Sequence, residues 1–428
     1  MSVLNSNLFI NWLRKEVSPA LGCTEPVAIA FAAAYAKKHL SEPCEKVTGF
    51  ISANLYKNAM GVTIPGTACS GISMAAAIGL FGGDSSKGLE TLKGITENRI
   101  VQATNFVKNG SVNIIAQDTP DFIHIDITAY GKESHCRVVI KGSHTNVVEL
   151  YVNDKPVLIS DKENNNEQEN ELALFSIEDA FNFINKADFS EIAFILEAGS
   201  LNQALSEEGR RKKYGLNING VMSANRELIG DGLMSQVVIE TVAASDARMG
   251  GAAVPAMSNF GSGNQGITAT MPVMVVARHL QSSEDDLARA LALSHLTAIS
   301  IHARYTRLSA LCAASTAAMG AAAGMVWLFA KDINTVYTAI INMISDVSGI
   351  ICDGASNSCA MKVSTVTMSA FKAVMMAIKN IRVSDSDGIV SSDPEETINN
   401  LCQLVIKPMP NMDKEIIKIM SNKMSNSK

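Results

Sequence analysis

FIHIDITAYGKESHCRVVIKGSHTNVVELYVNDKPV, residues 122–157, contains three runs in which apolar and polar residues alternate and β-branched residues are frequent. This alternation predicts β-strands with one buried face. Because the runs follow one another with short connections, we expect the strands to pair antiparallel. This stretch therefore predicts the sheet of a strand-rich domain.

Two earlier runs, KVTGFISANLY (46–56) and SVNIIAQDT (111–119), have the same β-type composition. TLKGITENRIVQATNFVKNG (91–110) lies between them and has the pattern of a helical insertion. Residues 45–160 are therefore predicted to form an α+β domain.

The N-terminal segment, residues 1–44, is predicted to be helical. TEPVAIAFAAAYAKKHL (24–40) begins with a threonine suited to capping, has Glu25 and Pro26 in its first turn, and carries two lysines near its end. These placements match the start of a helix and the direction of its dipole. Cys23 is therefore expected just before a helix N-terminus.

The second half of the chain has a different pattern. SDKENNNEQENEL (160–172) is polar and acidic, which predicts a surface connection between domains. Residues 173–428 are helical in pattern and rich in Ala and Met. The predicted fold class is α+β, with a strand-rich mixed domain followed by a large all-helical domain.

Composition indicates a well-buried globular protein. Of the 428 residues, 47% are hydrophobic and 18% are charged, and the formal net charge is -6. No basic run suited to phosphate backbones occurs, so we expect no nucleic-acid partner. MSVLNSNLFINWLRKEVSPALGC lacks the pattern of a secretory signal, which predicts a cytoplasmic location.

LSALCAASTAAMGAAAGMVWLFA (308–330) carries no charge and is long enough to span a bilayer. Ala, Gly and Ser dominate it, and these residues add little favourable insertion energy. We expect a helix buried in a soluble core and no membrane partner. A helical membrane or scaffold protein is the non-enzyme alternative.

The chain has eight cysteines, at positions 23, 44, 69, 136, 312, 352, 359 and 402. In a large chain without a secretory signal, metal binding or catalysis is the expected role of a cysteine that is not simply buried. Cys352 and Cys359 flank DGASNS, whose glycine and small polar residues let the backbone curl closely, and Cys312 is predicted inside the Ala-rich helix. Three thiolates would suit zinc or an iron–sulfur cluster, and simple packing of small residues is the alternative.

Cys23 is a candidate of another kind. A thiol at a helix N-terminus lies at the positive end of the dipole, which predicts a lowered pKa and a reactive thiolate. The alternative is a small buried residue.

Two polar turns are candidates for substrate binding. GSGNQG (261–266) presents Asn264 and Gln265, and IPGT (64–67) presents Thr67. Either turn could hold a substrate carboxylate or amino group, or simply connect elements. Arg248 could clamp a carboxylate or be an ordinary surface arginine.

Four motifs in order, LGCTEPVAIA (21–30), TIPGTACSG (63–71), GSGNQGI (261–267) and CDGASNSC (352–359), resemble the L-cysteine desulfidase family, which is related to the α chain of iron–sulfur L-serine dehydratases. The resemblance covers nearly the whole chain. It implies a [4Fe–4S] cluster held by Cys312, Cys352 and Cys359, with one iron open to substrate, and no further cofactor. It also implies that Cys23 abstracts the substrate's α-proton, whereas the other four cysteines are read as structural.

The activity implied is the β-elimination of L-cysteine to pyruvate, ammonia and sulfide, with the open iron acting as a Lewis acid. An L-serine dehydratase with the same cluster is the enzymatic alternative. Lys362 is the nearest candidate for a pyridoxal phosphate lysine, but no phosphate-binding motif accompanies it. The expected partner is a small amino-acid substrate, and a homo-oligomer is possible.

Overall fold

The computed structural model describes residues 6–160, 175–305 and 308–425. The predicted surface connection at 160–172 lies outside the described residues, apart from its first residue. In the first half the helices are α1 (Ser6–Glu16), α2 (Thr24–Lys38), α3 (Ala53–Ala59), α4 (Ile72–Gly82) and α5 (Glu97–Lys108), with a 3-10 helix at Ser85–Glu90. The strands are β1 (Pro19–Ala20), β2 (Lys46–Ser52), β3 (Val112–Gln117), β4 (His124–Tyr130), β5 (His135–Lys141), β6 (Val147–Val152) and β7 (Lys155–Ile159).

The second half is almost entirely helical. Its helices are α6 (Ile177–Lys186), α7 (Phe189–Ile192), α8 (Leu196–Arg211), α9 (Ile218–Ala224), α10 (Arg226–Ile229), α11 (Leu233–Met249), α12 (Gly263–Leu280), α13 (Glu284–His302), α14 (Ala313–Ala330), α15 (Ile333–Val347), α16 (Cys359–Ile378), α17 (Pro394–Ile406) and α18 (Met409–Ser425), with a 3-10 helix at Ala193–Ile195 and a short strand β8 (Ala256–Met257). The predicted fold class, α+β followed by a helical domain, is confirmed.

The sheet has the strand order β3-β2-β4-β5-β6-β7. The expected antiparallel pairing holds from β4 to β7 and between β2 and β4. The strands β2 and β3 instead pair parallel, with Val47 opposite Val112. The helices α3 to α5 intervene between these two strands, so the chain crosses over and β3 runs in the same direction as β2.

The run NVVELYVNDKPV forms a hairpin of two strands, where the alternation alone indicated one. Asn153 and Asp154 both have positive φ, 49° and 61°, which is the conformation of a two-residue turn that matches strand twist. Asn and Asp are the non-glycine residues that adopt this conformation most readily. The chain therefore reverses between β6 and β7.

Two apolar cores lie side by side. The first packs α2 and α4 against the sheet, and the second is formed by the helices of the second half. Among the residues that the structure describes, the helices α14 and α16 are long and apolar enough to cross a membrane by length and composition alone. In α14, 78% of the apolar segment is buried inside the molecule. This helix is therefore a core helix, as predicted.

The N-terminal helices belong to different cores. Phe9 and Leu13 of α1 are buried in the helical core, and Phe9 stacks on Phe183 with ring centroids 4.7 Å apart. Helix α2 packs in the first core. Between them, β1 pairs with β8, with Pro19 opposite Met257. Cys23 therefore lies where the chain passes from one core to the other, and the boundaries at 1–44, 45–160 and 173–428 stay predictions.

Candidate active site

One cavity at the junction of the two cores is lined by the cysteines singled out in the sequence: Cys23, Cys312, Cys352 and Cys359. The cavity is partly open to solvent. None of the other four cysteines lines this cavity.

Cys312 and Cys352 are brought together by backbone pairing. Leu311 and Ile351 form an antiparallel bridge, and the Cys352 amide donates to the Ala310 carbonyl at 2.7 Å. Because of this pairing, Cys312 has extended φ and ψ of −67° and 122° and is the N-cap of α14. The prediction that Cys312 lies inside the helix is wrong.

Cys359 is the first residue of α16, at the end of the DGASNS loop. Its Sγ accepts from the Ser356 amide at 3.5 Å and donates to the Gly354 carbonyl at 3.6 Å. The loop thus curls around the Cys359 sulfur, as its composition suggested.

The three thiols influence one another. Burial, together with the smaller effects of the neighbouring Cys352 and Cys359 thiols, raises the pKa of Cys312 to about 12. Burial also raises the pKa of Cys359. Any metal group bound here must therefore displace protons from these thiols.

The donor type at this cavity is compatible with an iron–sulfur cluster. Such a cluster distributes its thiolate ligands over several irons, and three soft thiols line this one cavity. Within the described ranges, no three His, Cys, Asp or Glu side chains form a group that could hold a single metal ion.

Cys23, and not Thr24, is the N-cap of α2, with φ −83° and ψ 130°. The Thr24 hydroxyl is instead close to Glu25 Oε2 at 3.0 Å and the Gly261 carbonyl at 3.2 Å, so the prediction of Thr24 as cap is wrong. Gly22 has φ 70°, and a Cβ there would lie 1.9 Å from Pro65. Contact with the IPGT turn therefore requires glycine before Cys23.

Arg248 is 4% exposed, so the surface alternative is wrong. Its Nη2 donates to Cys23 Sγ at 3.3 Å, and its Nη1 to Met249 Sδ at 3.2 Å. Burial raises the pKa of Cys23 to about 12, although Arg248 opposes this rise. The lowered pKa expected from the helix N-terminus is therefore wrong, because desolvation outweighs the nearby positive charge.

The residues proposed to bind substrate lie in three different places. Asn264 lines the cavity and donates to Met249 Sδ at 3.3 Å. Gln265 is fully buried behind the wall, bonded to Asn259 and His302. Thr67 donates to the Ile64 carbonyl at 2.8 Å and closes its own turn, outside the cavity lining. Only Asn264 of the three faces the candidate site.

Two charged residues at or near the cavity were missed by sequence reasoning. Lys57 is fully buried, and its ammonium donates to the Cys352 carbonyl at 3.2 Å and to Asp413 Oδ1 at 2.6 Å. Glu25 was noted only as a first-turn acid, yet it lines the cavity beside Cys23. Nothing in the local pattern around Lys57 indicates burial.

The profile of the serine dehydratase alpha chain family matches residues 86–418. The chain belongs to the serine dehydratase alpha chain family. It is thus a serine dehydratase-like protein of the lyase class, and iron–sulfur serine dehydratases contain an alpha chain of this family.

Relatives of this serine dehydratase alpha chain protein match it almost end to end. A UPF0597 protein of Klebsiella pneumoniae is 64% identical, over 98% of this chain and 99% of its own length. A UPF0597 protein of Dichelobacter nodosus is 48% identical over 96% of both chains. The UPF0597 protein YhaM of Salmonella typhimurium is 48% identical over 97% of both chains.

Proposed function

We propose that this protein is an iron–sulfur lyase that converts L-cysteine to sulfide, with pyruvate and ammonia as the final products. The observation that carries the proposal is one cavity lined by three thiols suited to a cluster and by a fourth, Cys23, which accepts a hydrogen bond from Arg248 and packs near Cys359. Cys312, Cys352 and Cys359 would hold the cluster. When bound, it supplies an open iron that acts as a Lewis acid toward the substrate.

The chain's own residues would move the proton. The Cys23 thiol must first lose its own proton to solvent, because burial raises its pKa to about 12. As thiolate, Cys23 Sγ then takes the α-proton of L-cysteine, and Arg248 Nη2 stabilises the negative sulfur. The electron pair of the broken C–H bond forms the Cα–Cβ double bond, and the Cβ–S bond breaks with its pair leaving on sulfide. Free aminoacrylate then tautomerises to an imine, which water hydrolyses to pyruvate and ammonia.

L-Serine dehydration is the second candidate, and the family match supports it. The same proton transfer would apply, with water as the leaving group. The chemical difference lies in the leaving atom, since sulfur is a softer partner for iron than oxygen.

The test is anaerobic purification, reconstitution with iron and sulfide, and assay of both substrates. We expect a brown protein that releases sulfide and pyruvate from L-cysteine, with activity lost after exposure to air and chelator and restored by iron and sulfide. Faster ammonia release from L-serine would favour the second candidate. Absence of turnover with either substrate in protein that holds iron would refute both.

A further inference from the structure

Arg248 is a buried cation without an anionic partner among the described residues. The residue is 4% exposed, its two described hydrogen bonds go to sulfur atoms, and its Nε has no partner in the described parts of the chain. Desolvating a charge is costly unless an opposite charge or strong acceptors compensate it. A neutral thiol and a thioether are weak acceptors. The cavity wall at Arg248 is therefore suited to an incoming anion.

Glu25 provides the opposite charge on the same cavity. Its carboxylate is 9% exposed, and its described side-chain hydrogen bond comes from the Thr24 hydroxyl at 3.0 Å. Within the described ranges no lysine or arginine forms an ion pair with it, and Arg248 itself does not. Both residues line the cavity and both act electrostatically on Cys23, in opposite directions.

We propose that Arg248 binds the α-carboxylate and Glu25 the α-ammonium of a zwitterionic α-amino acid. The inference rests on the proposed lyase function and assigns its substrate class. A guanidinium offers a planar fork of N–H donors that matches a carboxylate, and a carboxylate accepts from an ammonium. Cys23 lies next to both groups, so an amino acid held between them presents its α-hydrogen near Cys23 Sγ.

The pair selects for a zwitterion. A simple carboxylic acid would leave Glu25 unpaired and place two negative charges in one cavity. An amine would leave Arg248 unpaired in the same way. Each missing partner leaves a buried charge uncompensated, which is a strong basis for discrimination.

The test compares three ligands that carry no leaving group: L-2-aminobutyrate, butyrate, which lacks the ammonium, and propylamine, which lacks the carboxylate. Binding to the anaerobically reconstituted holoenzyme is measured by titration calorimetry. We expect wild-type protein to bind L-2-aminobutyrate at least about tenfold more tightly than butyrate or propylamine. The reason is that each charged end of the ligand makes one charge-assisted interaction, and each fragment lacks one of these ends.

The variants separate the two ends of the ligand. Arg248→Met should weaken L-2-aminobutyrate and butyrate by about tenfold or more and should not weaken propylamine. Glu25→Gln should weaken L-2-aminobutyrate and propylamine and should not weaken butyrate. Arg248→Lys, which keeps the charge but loses the fork, should fall between wild type and Arg248→Met. The exposed Arg226→Met and Glu207→Gln are matched controls and should change nothing.

A variant that weakens all three ligands equally, or a wild-type protein that binds L-2-aminobutyrate no better than the fragments, would overturn the assignment. Thermal unfolding of each variant checks that it is folded. Because the ligands cannot react, the binding pattern is obtained even if neither sulfide nor ammonia is ever released. Conversely, if the protein is an active lyase but does not show the expected differences in ligand binding, the proposed function stands and only the roles assigned to Arg248 and Glu25 are refuted.

Discussion

The ammonium of Lys57 lies 2.6 Å from Asp413 Oδ1, although the two residues are 356 positions apart in the chain. Lys57 is on α3 in the first core, and Asp413 is on α18 near the C-terminus. The same ammonium donates to the Cys352 carbonyl. One buried ion pair therefore connects the two halves of the molecule to the loop that carries two of the cavity thiols.

Lys57→Met should destabilise the protein by about 3–5 kcal/mol, because it leaves the Asp413 carboxylate buried without a partner. The double variant Lys57→Met/Asp413→Leu should recover much of that loss, since no charge then remains. Urea unfolding measures both. Arg226→Met, which removes an exposed ion pair with Asp231, should cost less than about 1 kcal/mol. If the double variant lost as much unfolding free energy as the two single substitutions together, Lys57 and Asp413 would not stabilise each other.

Cys23→Ser should keep iron content and cluster absorption but lose nearly all turnover, because a serine hydroxyl is a much weaker base than a thiolate. Cys352→Ser or Cys359→Ser should lose iron as well as activity. Iron analysis and α-proton exchange with solvent, both anaerobic, distinguish these outcomes. Cys44→Ser, outside the cavity lining, is the control and should keep both properties. If Cys23→Ser lost as much iron as Cys352→Ser or Cys359→Ser, Cys23 would itself be a ligand of the cluster.

Gly263→Ala should reduce turnover by roughly 10- to 100-fold through displacement of Arg248. A Cβ at Gly263 would lie 2.1 Å from Arg248 Nε, so the guanidinium cannot keep its place beside Cys23. Steady-state rates of product release measure the effect. Gly232→Ala, where a Cβ meets nothing within 4 Å, is the matched control. Unchanged turnover in Gly263→Ala would mean that the position of Arg248 does not matter.

Stability should fall as the pH drops below about 6.5, in part because of His295. Full burial lowers the pKa of His295 to about 3, and its Nδ1 accepts from the Asn259 amide at 2.9 Å, which favours the neutral ring. The unfolded chain takes up this proton near pH 6.5 and the folded chain near pH 3, so acid favours unfolding. The contribution is about 1.4 kcal/mol per pH unit between these values.

Urea unfolding between pH 7 and pH 5 tests this contribution. His295→Gln should reduce the pH dependence by about 2 kcal/mol at pH 5. Parallel curves for wild type and His295→Gln would show that His295 contributes nothing.

Local patterns predicted the strands and helices because alternation and helical periodicity are properties of neighbouring residues. The turn at Asn153 and Asp154, where the chain reverses between β6 and β7, could also have been predicted from the residue types. The parallel pairing of Val47 with Val112 depends on where three intervening helices place the chain, which no local pattern reports.

The thiols of the candidate site could be singled out from the sequence, but their burial could not. Helix capping by Cys23 follows from its neighbours in sequence, whereas its burial depends on Val62 and Met249, which come from elsewhere in the chain. The same is true of Arg248, for which the sequence left a carboxylate clamp and a surface arginine open. Its burial results from the packing of α11 against α12, which the local sequence does not report.

The long separation between Lys57 and its partners affects how the protein is made. Lys57 and Cys352 are 295 residues apart, so a ribosome needs roughly 15 to 60 s to synthesise one after the other. During that interval Cys23 has emerged, but the loop that completes the cavity does not yet exist. Under the proposed function, insertion of iron and sulfur must therefore wait until residues 352–359 have been synthesised. A chain that terminates before them would present Cys23 without the thiols that line the same cavity in the finished protein.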